Sequence, residues 1–206
     1  MTLHYDTDGP VASAPDTRER LVAAAREVIE RGGYAAASVA AIAERAGVAT
    51  GTLYRHFPSK AQLFVEIVRA TSQRELSAMN AAATASGSFA ARLDAIVTTY
   101  ARRALRKRRL AWALVYEPAD PLVDAERLAY RRKYRTHMAD FLRAGIAAGE
   151  IPEQDVELTA AAIVGVISEV LVGPLSPVAD GTTPEDEVVA AIVRFCGDGV
   201  VAAGSR

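Results

Sequence analysis

The chain has few of the residues that carry covalent or metal chemistry. Its one cysteine, Cys196, has no partner for an intramolecular disulfide and belongs to no CxxC pair. That suits a reducing cytoplasm and a thiol acting as a small core hydrophobe. The three histidines, His4, His56 and His137, are far apart in the sequence. None has a second ligand three or four residues away, so the spacing of a helical zinc site is missing. There is no GxGxxG, no Walker loop and no GxSxG. The sequence therefore argues against an enzyme and implies neither cofactor nor metal. Aromatic residues make up only 6% of the chain, so its core must be built from Ala, Val, Leu and Ile. Short alternating runs bounded by turn residues are also lacking, which leaves an all-α fold.

Charge of one sign is absent too: 24 Lys and Arg face 25 Asp and Glu, for a net charge of −1. A nucleic-acid partner would need local positive charge, not a basic chain. The N-terminus has neither a basic segment nor an apolar core of the secretory kind. The most apolar run, Leu158 to Val172, carries Glu169 and ends at Gly173-Pro174. It falls short of the roughly 18 residues a membrane span needs. A soluble cytoplasmic protein with no membrane partner is expected.

What the chain does have is a patterned stretch from Ser38 to Lys60, SVAAIAERAGVATGTLYRHFPSK. Ser38 is an N-cap, and Val39, Ile42, Ala43 and Ala46 recur at helical spacing. Gly47 suits the left-handed C′ position. Thr50 to His56 then read as a second helix, too short to stand alone. Leu53 and Phe57, four apart, share the face that packs inward. Thr50, Thr52, Tyr54, Arg55 and His56 are left pointing outward. Two helices, a glycine turn and a polar outer face make a helix-turn-helix.

AGVATGTLYRHFPSKAQLF resembles the DNA-binding signature of the TetR family of bacterial transcriptional regulators. The likeness runs from a first helix near Asp16 to Leu63-Phe64, about a quarter of the chain. It implies an N-terminal three-helix DNA-binding domain (16–62) and a larger helical effector-binding and dimerisation domain (63–206). Residues 1–15 read as a disordered tail. By that resemblance the partner is double-stranded DNA, a pseudo-palindromic operator. Backbone N–H groups at Ser38 and Val39 would meet phosphate. Thr50, Gly51 and Thr52 would approach base edges, and Arg55 would read a base or clamp a phosphate. Tyr54, His56 and Lys60 would position the backbone.

The rest of the chain yields helices but no motif. Ser59 to Gln62 caps a fourth helix whose far end enters the second domain. A fifth is expected from Phe89 to about Arg106, and the cluster Arg102 to Arg109 reads as a solvated face. Longer helices are expected from about Leu122 to Ala148 and from Val156 to Val172, with a last one from Pro184 to about Val201. The helix from Val156 is apolar almost all round, so one of its sides should meet a second subunit. The expected dimer face is Leu158, Ala161, Ala162, Gly165, Ile167, Val189, Ile192 and Val193. The resemblance also implies a pocket for a small apolar or amphipathic effector. The side chains available to wall it are Tyr100, Trp112, Tyr116, Tyr134, His137, Met138 and Phe141. The function expected is a homodimeric repressor released from its operator by that effector. The alternatives are a ligand-independent activator or architectural factor, and a helix-turn-helix that binds protein.

Overall fold

The computed structural model describes residues 16–179 and 183–203. The tail 1–15, with His4, and part of the loop before the last helix lie outside the described residues. Among the described residues there are nine α-helices and no strand. The first four are α1 (Thr17–Ala36), α2 (Val39–Ala46), α3 (Thr50–His56) and α4 (Lys60–Ala83). They are followed by α5 (Phe89–Arg106), α6 (Arg108–Val115), α7 (Pro121–Ala147), α8 (Val156–Leu175) and α9 (Glu185–Ala203).

Local chemistry sets most of these boundaries. Asp16 accepts from the Glu19 amide at 2.7 Å while Glu19 accepts from the Asp16 amide at 3.3 Å, a reciprocal cap. Ser38, Ser59 and Ser88 each accept from the amide three residues on. Gly47 takes φ 66°, and its N–H closes α2 onto Ala43 and Glu44. Asp120 caps Leu122 at 2.9 Å with Pro121 at the first helical position. Two ends differ from expectation. Helix α1 continues past Gly32 to Ala36, and Gly33 bends it at φ 79°, ψ 177°. Helix α8 runs through Gly173 and Pro174 to Leu175; the proline gives up its own N–H bond, while Leu171 and Leu175, one turn apart, are both buried in the helical core.

The helices pack around two clusters. The first joins Leu21, Ala25 and Ile29 of α1, Ile42 of α2, Leu53 of α3 and Phe64 and Ile67 of α4. It is completed by Leu110, Ala113 and Leu114 of α6 and Tyr130 of α7. Its core thus runs beyond residue 62. The second holds Met79 of α4, Leu93, Ile96 and Val97 of α5, Met138 and Leu142 of α7, Ile163 and Ile167 of α8, and Ile192 of α9. Cys196 is buried in it, where loss of hydration pushes the thiol up to about 11. Only α4, about 36 Å long at 1.5 Å per residue, and α7 contribute buried residues to both clusters.

Apart from Arg106, the cations of the Arg102–Arg109 cluster are spent on ion pairs and a helix end. Arg103 holds Glu75 at 2.5 Å, Lys107 holds Glu30 at 2.8 Å, and Arg108 holds Glu185 at 2.8 Å. Arg102 pairs with Asp186 at 2.7 Å, and Arg109 donates to the Gly32 carbonyl at 3.0 Å.

Candidate nucleic-acid interface and ligand cavity

Helix α3 is anchored by two residues and presents the others. Leu53 is wholly buried and Phe57 nearly so, worth about 1.5–3 kcal/mol each against leaving them exposed. Thr50, Gly51, Tyr54, Arg55 and His56 are exposed and Thr52 is half-buried. Arg55 Nη2 donates to Thr52 Oγ1 at 3.0 Å, so the two form one unit on the outer face. A Cβ on Gly51 would meet nothing within 4 Å. The fold therefore makes no demand for glycine there.

Other basic groups of the motif are engaged within the chain. Arg45 pairs with Glu27. Lys60 Nζ donates to the Tyr34 carbonyl at 2.5 Å and lies 4.0 Å from the Tyr34 ring centroid, and burial lowers its pKa. It braces the α1–α2 corner instead of standing free on the outer face. The Ser38 amide donates to the Ala36 carbonyl at 2.9 Å, while Val39 is half-buried against the first cluster. Of the arginine and lysine side chains between Ser38 and Lys60, Arg55 alone stands on the outer face of α3 without a carboxylate partner among the described residues.

A cavity of about 810 Å³ lies among α1, α4, α5, α6, α7 and α8. Of the seven side chains expected to wall it, Tyr100, Tyr116, Tyr134 and Met138 do so. Trp112, His137 and Phe141 do not. Trp112 packs on the Tyr116 ring at 5.2 Å, and Phe141 stacks on Phe89 at 4.6 Å inside the second core. His137 lies beside Met138 on another face of α7, with its Nε2 buried and unpartnered.

The inner wall is apolar, from Val68, Met79, Leu110, Leu114, Val164 and Ile167. Burial raises the pKa of the tyrosine hydroxyls, in Tyr100 to about 12 and further in Tyr116 and Tyr134, so they face the cavity as neutral donors. Tyr116 donates to the Ser168 carbonyl of α8. The polar wall carries the Glu75–Arg103 pair together with Arg26, Arg106, Lys107, Arg127 and Arg131. Arg127 is held by Asp124 and by the carbonyls of Ala113 and Leu114. Arg26, Arg106 and Arg131 have no carboxylate partner among the described residues, and Arg26 Nε is buried and unsatisfied. The wall thus offers unspent positive charge beside an apolar interior. Sequence spacing could not reveal these cations, which come from separate helices.

On α8 and α9, Leu158 is 68% exposed, Ala162 and Gly165 are exposed, and Ala161 and Val193 are half-buried. Ile167, Val189 and Ile192, expected at a subunit interface, are instead buried in the chain's own second core. A side chain with about 4% exposure or less has no surface to give a partner. The other large apolar residues exposed on these two helices are Val170, Phe195 and Val201, at 40%, 64% and 65% exposure. Helix α8 is long and apolar enough to cross a membrane by length and composition, contrary to the shorter run expected. Only 28% of its apolar window is buried within this chain. Among the described residues no group of three or more His, Cys, Asp or Glu could hold a metal.

Comparison with known proteins agrees with this architecture. Residues 21–67 match the family model of bacterial regulatory proteins of the tetR family. Residues 86–172 match that of the tetracyclin repressor-like C-terminal domain. The HTH-type transcriptional repressor KstR of Mycolicibacterium smegmatis is 37% identical over 99 residues, 48% of this chain and 48% of that protein. The matched region thus spans about half the length of that relative. The fatty acid degradation regulator FadR of Bacillus halodurans superposes with a TM-score of 0.77 at 19% identity, over 91% of this chain and 97% of that one. FadR of Bacillus subtilis, in complex with stearoyl-CoA, superposes with a TM-score of 0.76 at 22% identity, over 88% and 98%. A helix-turn-helix at the N-terminus, a helical C-terminal body and both family models lead to one assignment: the chain belongs to the TetR family of bacterial regulatory proteins.

Proposed function

We propose that the chain is a cytoplasmic, homodimeric DNA-binding repressor, released from a pseudo-palindromic operator by a small amphipathic effector. The observation that carries this is the outer face of α3. Thr50, Gly51, Tyr54, Arg55 and His56 are exposed and Thr52 half-buried on a helix held by Leu53 and Phe57, and none of the described residues buries this face. Thr50, Gly51, Thr52 and Arg55 approach base edges in the major groove. Tyr54 and His56 contact phosphate, as do the backbone near Ser38 and Val39, while Lys60 acts by bracing the corner. Residues 16–62 carry the reading motif and 63–206 the effector and dimer functions, joined by α4.

The second copy of the chain covers the apolar face of Leu158, Ala161, Ala162, Gly165, Val170 and Phe195. The cavity falls within the roughly 300–1,000 Å³ of small-molecule sites, which favours a ligand-responsive regulator over a ligand-independent one. Its apolar interior and unpaired arginines suit an acyl chain with an anionic end, in line with the stearoyl-CoA held by the Bacillus subtilis neighbour.

Duplexes selected from a randomised library, then footprinted, test the reading. Two protected half-sites about one helical turn apart are expected, with affinity falling as salt rises and released by palmitoyl-CoA. Sedimentation at micromolar concentration should show a dimer that Leu158→Glu dissociates. No selected duplex, or only monomer in the wild type, would overturn it.

A further inference from the structure

We propose that Glu117 is a latch through which the cavity and the reading helices sense each other. The proposal rests on the ligand-responsive DNA-binding reading above. Glu117 follows the end of α6 and lines the cavity together with Tyr116 and Pro118. Its carboxylate reaches out of that wall to the corner between α1 and α2. One oxygen accepts from the Tyr34 amide at 2.9 Å, and the other from the Ala35 amide at 3.2 Å. These are the two residues after Gly33, where α1 loses its regular backbone. Three residues further on, Ser38 caps α2.

The same turn is tied to the other wall of the cavity. The Glu117 and Tyr116 amides both donate to the Trp112 carbonyl, at 3.1 and 2.8 Å. The Tyr116 hydroxyl donates to Ser168 of α8. Bonds therefore run from α8 through Tyr116 and Glu117 to the segment that aims α2. Other struts meet the corner without joining it to the cavity this way. Arg109 reaches the Gly32 carbonyl and Lys60 the Tyr34 carbonyl, but neither side chain lines the cavity.

A carboxylate accepting from two backbone amides is held more strongly than a neutral acceptor. Removing it leaves the part-buried Tyr34 amide without that acceptor and the exposed Ala35 amide to water, so the latch is either closed or open. A guest pressing on Tyr116 to Pro118 favours the open state. An anionic guest adds repulsion against Glu117 itself. Operator binding favours the closed state, and coupling between two sites is reciprocal. DNA bound at α3 must then be felt at α6, where the chain's one tryptophan, Trp112, packs 5.2 Å from Tyr116.

The test uses the full chain and a duplex recovered by selection, with no effector needed. Saturating duplex should change Trp112 emission in the wild type. In Glu117→Ala that change should be lost even at saturation, with operator affinity weaker by about tenfold or more and exchange at the Tyr34 and Ala35 amides faster by a similar factor. Glu117→Gln keeps one acceptor oxygen, so one of the two amides should lose protection and part of the emission change should remain. Duplex binding that leaves wild-type Trp112 unchanged overturns the latch while the DNA reading stands. So does a Glu117→Ala protein that keeps the emission change and wild-type exchange. If Glu117→Ala does not fold, Glu117→Gln decides, and full protection of both amides overturns the proposal. If no duplex can be selected, the DNA reading fails, and amide exchange still judges the latch.

Discussion

Replacing Gly33 with alanine probes the corner on which the reading helices hang. Gly33 sits at φ 79°, ψ 177°, a region open almost only to glycine, where another residue costs about 1–3 kcal/mol. A Cβ there would lie 2.9 and 3.0 Å from the two Glu117 carboxylate oxygens and 3.1 Å from Arg109 Nη2. Those atoms are not the loose end of a surface chain, because the carboxylate is held by the Tyr34 and Ala35 amides. It must give way and lose at least one bond to a charged acceptor, a further 1.5–3 kcal/mol or so. Together these predict a loss of about 2.5–6 kcal/mol, or roughly 5–25 °C in melting temperature for a chain of this length. Far-ultraviolet circular dichroism at one fixed protein concentration measures it, because the proposed dimer would make the midpoint concentration-dependent. A Gly33→Ala protein that melts with the wild type would refute both the strain and the tight seating of Glu117.

Other outcomes follow from the same reasoning. Gly51→Ala, where the new methyl meets nothing within 4 Å, should raise stability by up to about 1 kcal/mol. It should nonetheless weaken operator binding, and a mutant bound as tightly as the wild type would remove Gly51 from the interface. Gly145→Ala would set a Cβ 2.5 Å from the Phe89 ring, so a loss of about 1–3 kcal/mol should appear in urea unfolding. Glu126 has its pKa lowered, first by its hydrogen bond from Arg69. The unfolded chain then takes up the proton first as pH falls, so this contribution is present above the ordinary value of 4.5 and is lost on passing down through the folded value. Glu126→Gln should flatten that part of the acid limb in urea midpoints measured against pH.

The local signals in the sequence carried far. Ser38, Ser59 and Asp16 all cap the helices they precede, and Gly47 takes the left-handed turn, because caps and turns depend on neighbours within four residues. Helix α8 runs past its expected end because Leu175, one turn beyond Leu171, is buried with it in the second core, a tertiary contact that outweighs the Gly173-Pro174 stop signal. Its all-round apolar pattern could not say which side faces the protomer, so Ile167, Val189 and Ile192 were expected outside and lie inside. Residue type was likewise silent about direction on α6 and α7, where Trp112 and Phe141 turn into packing while Tyr116 and Tyr134 face the cavity. Glu117 meets Tyr34 across 83 positions. No periodicity reaches that far.

The most direct test of the account is operator affinity in Thr52→Ala and Arg55→Ala, measured beside the wild type at one salt concentration. Both side chains lie on the outer face of α3 and bond to each other, away from either core. Each variant should melt as the wild type does while losing about 1–3 kcal/mol of specific binding, so that the operator footprint needs roughly 5- to 150-fold more protein. Two variants that still footprint the operator normally would contradict the central claim that this helix reads DNA.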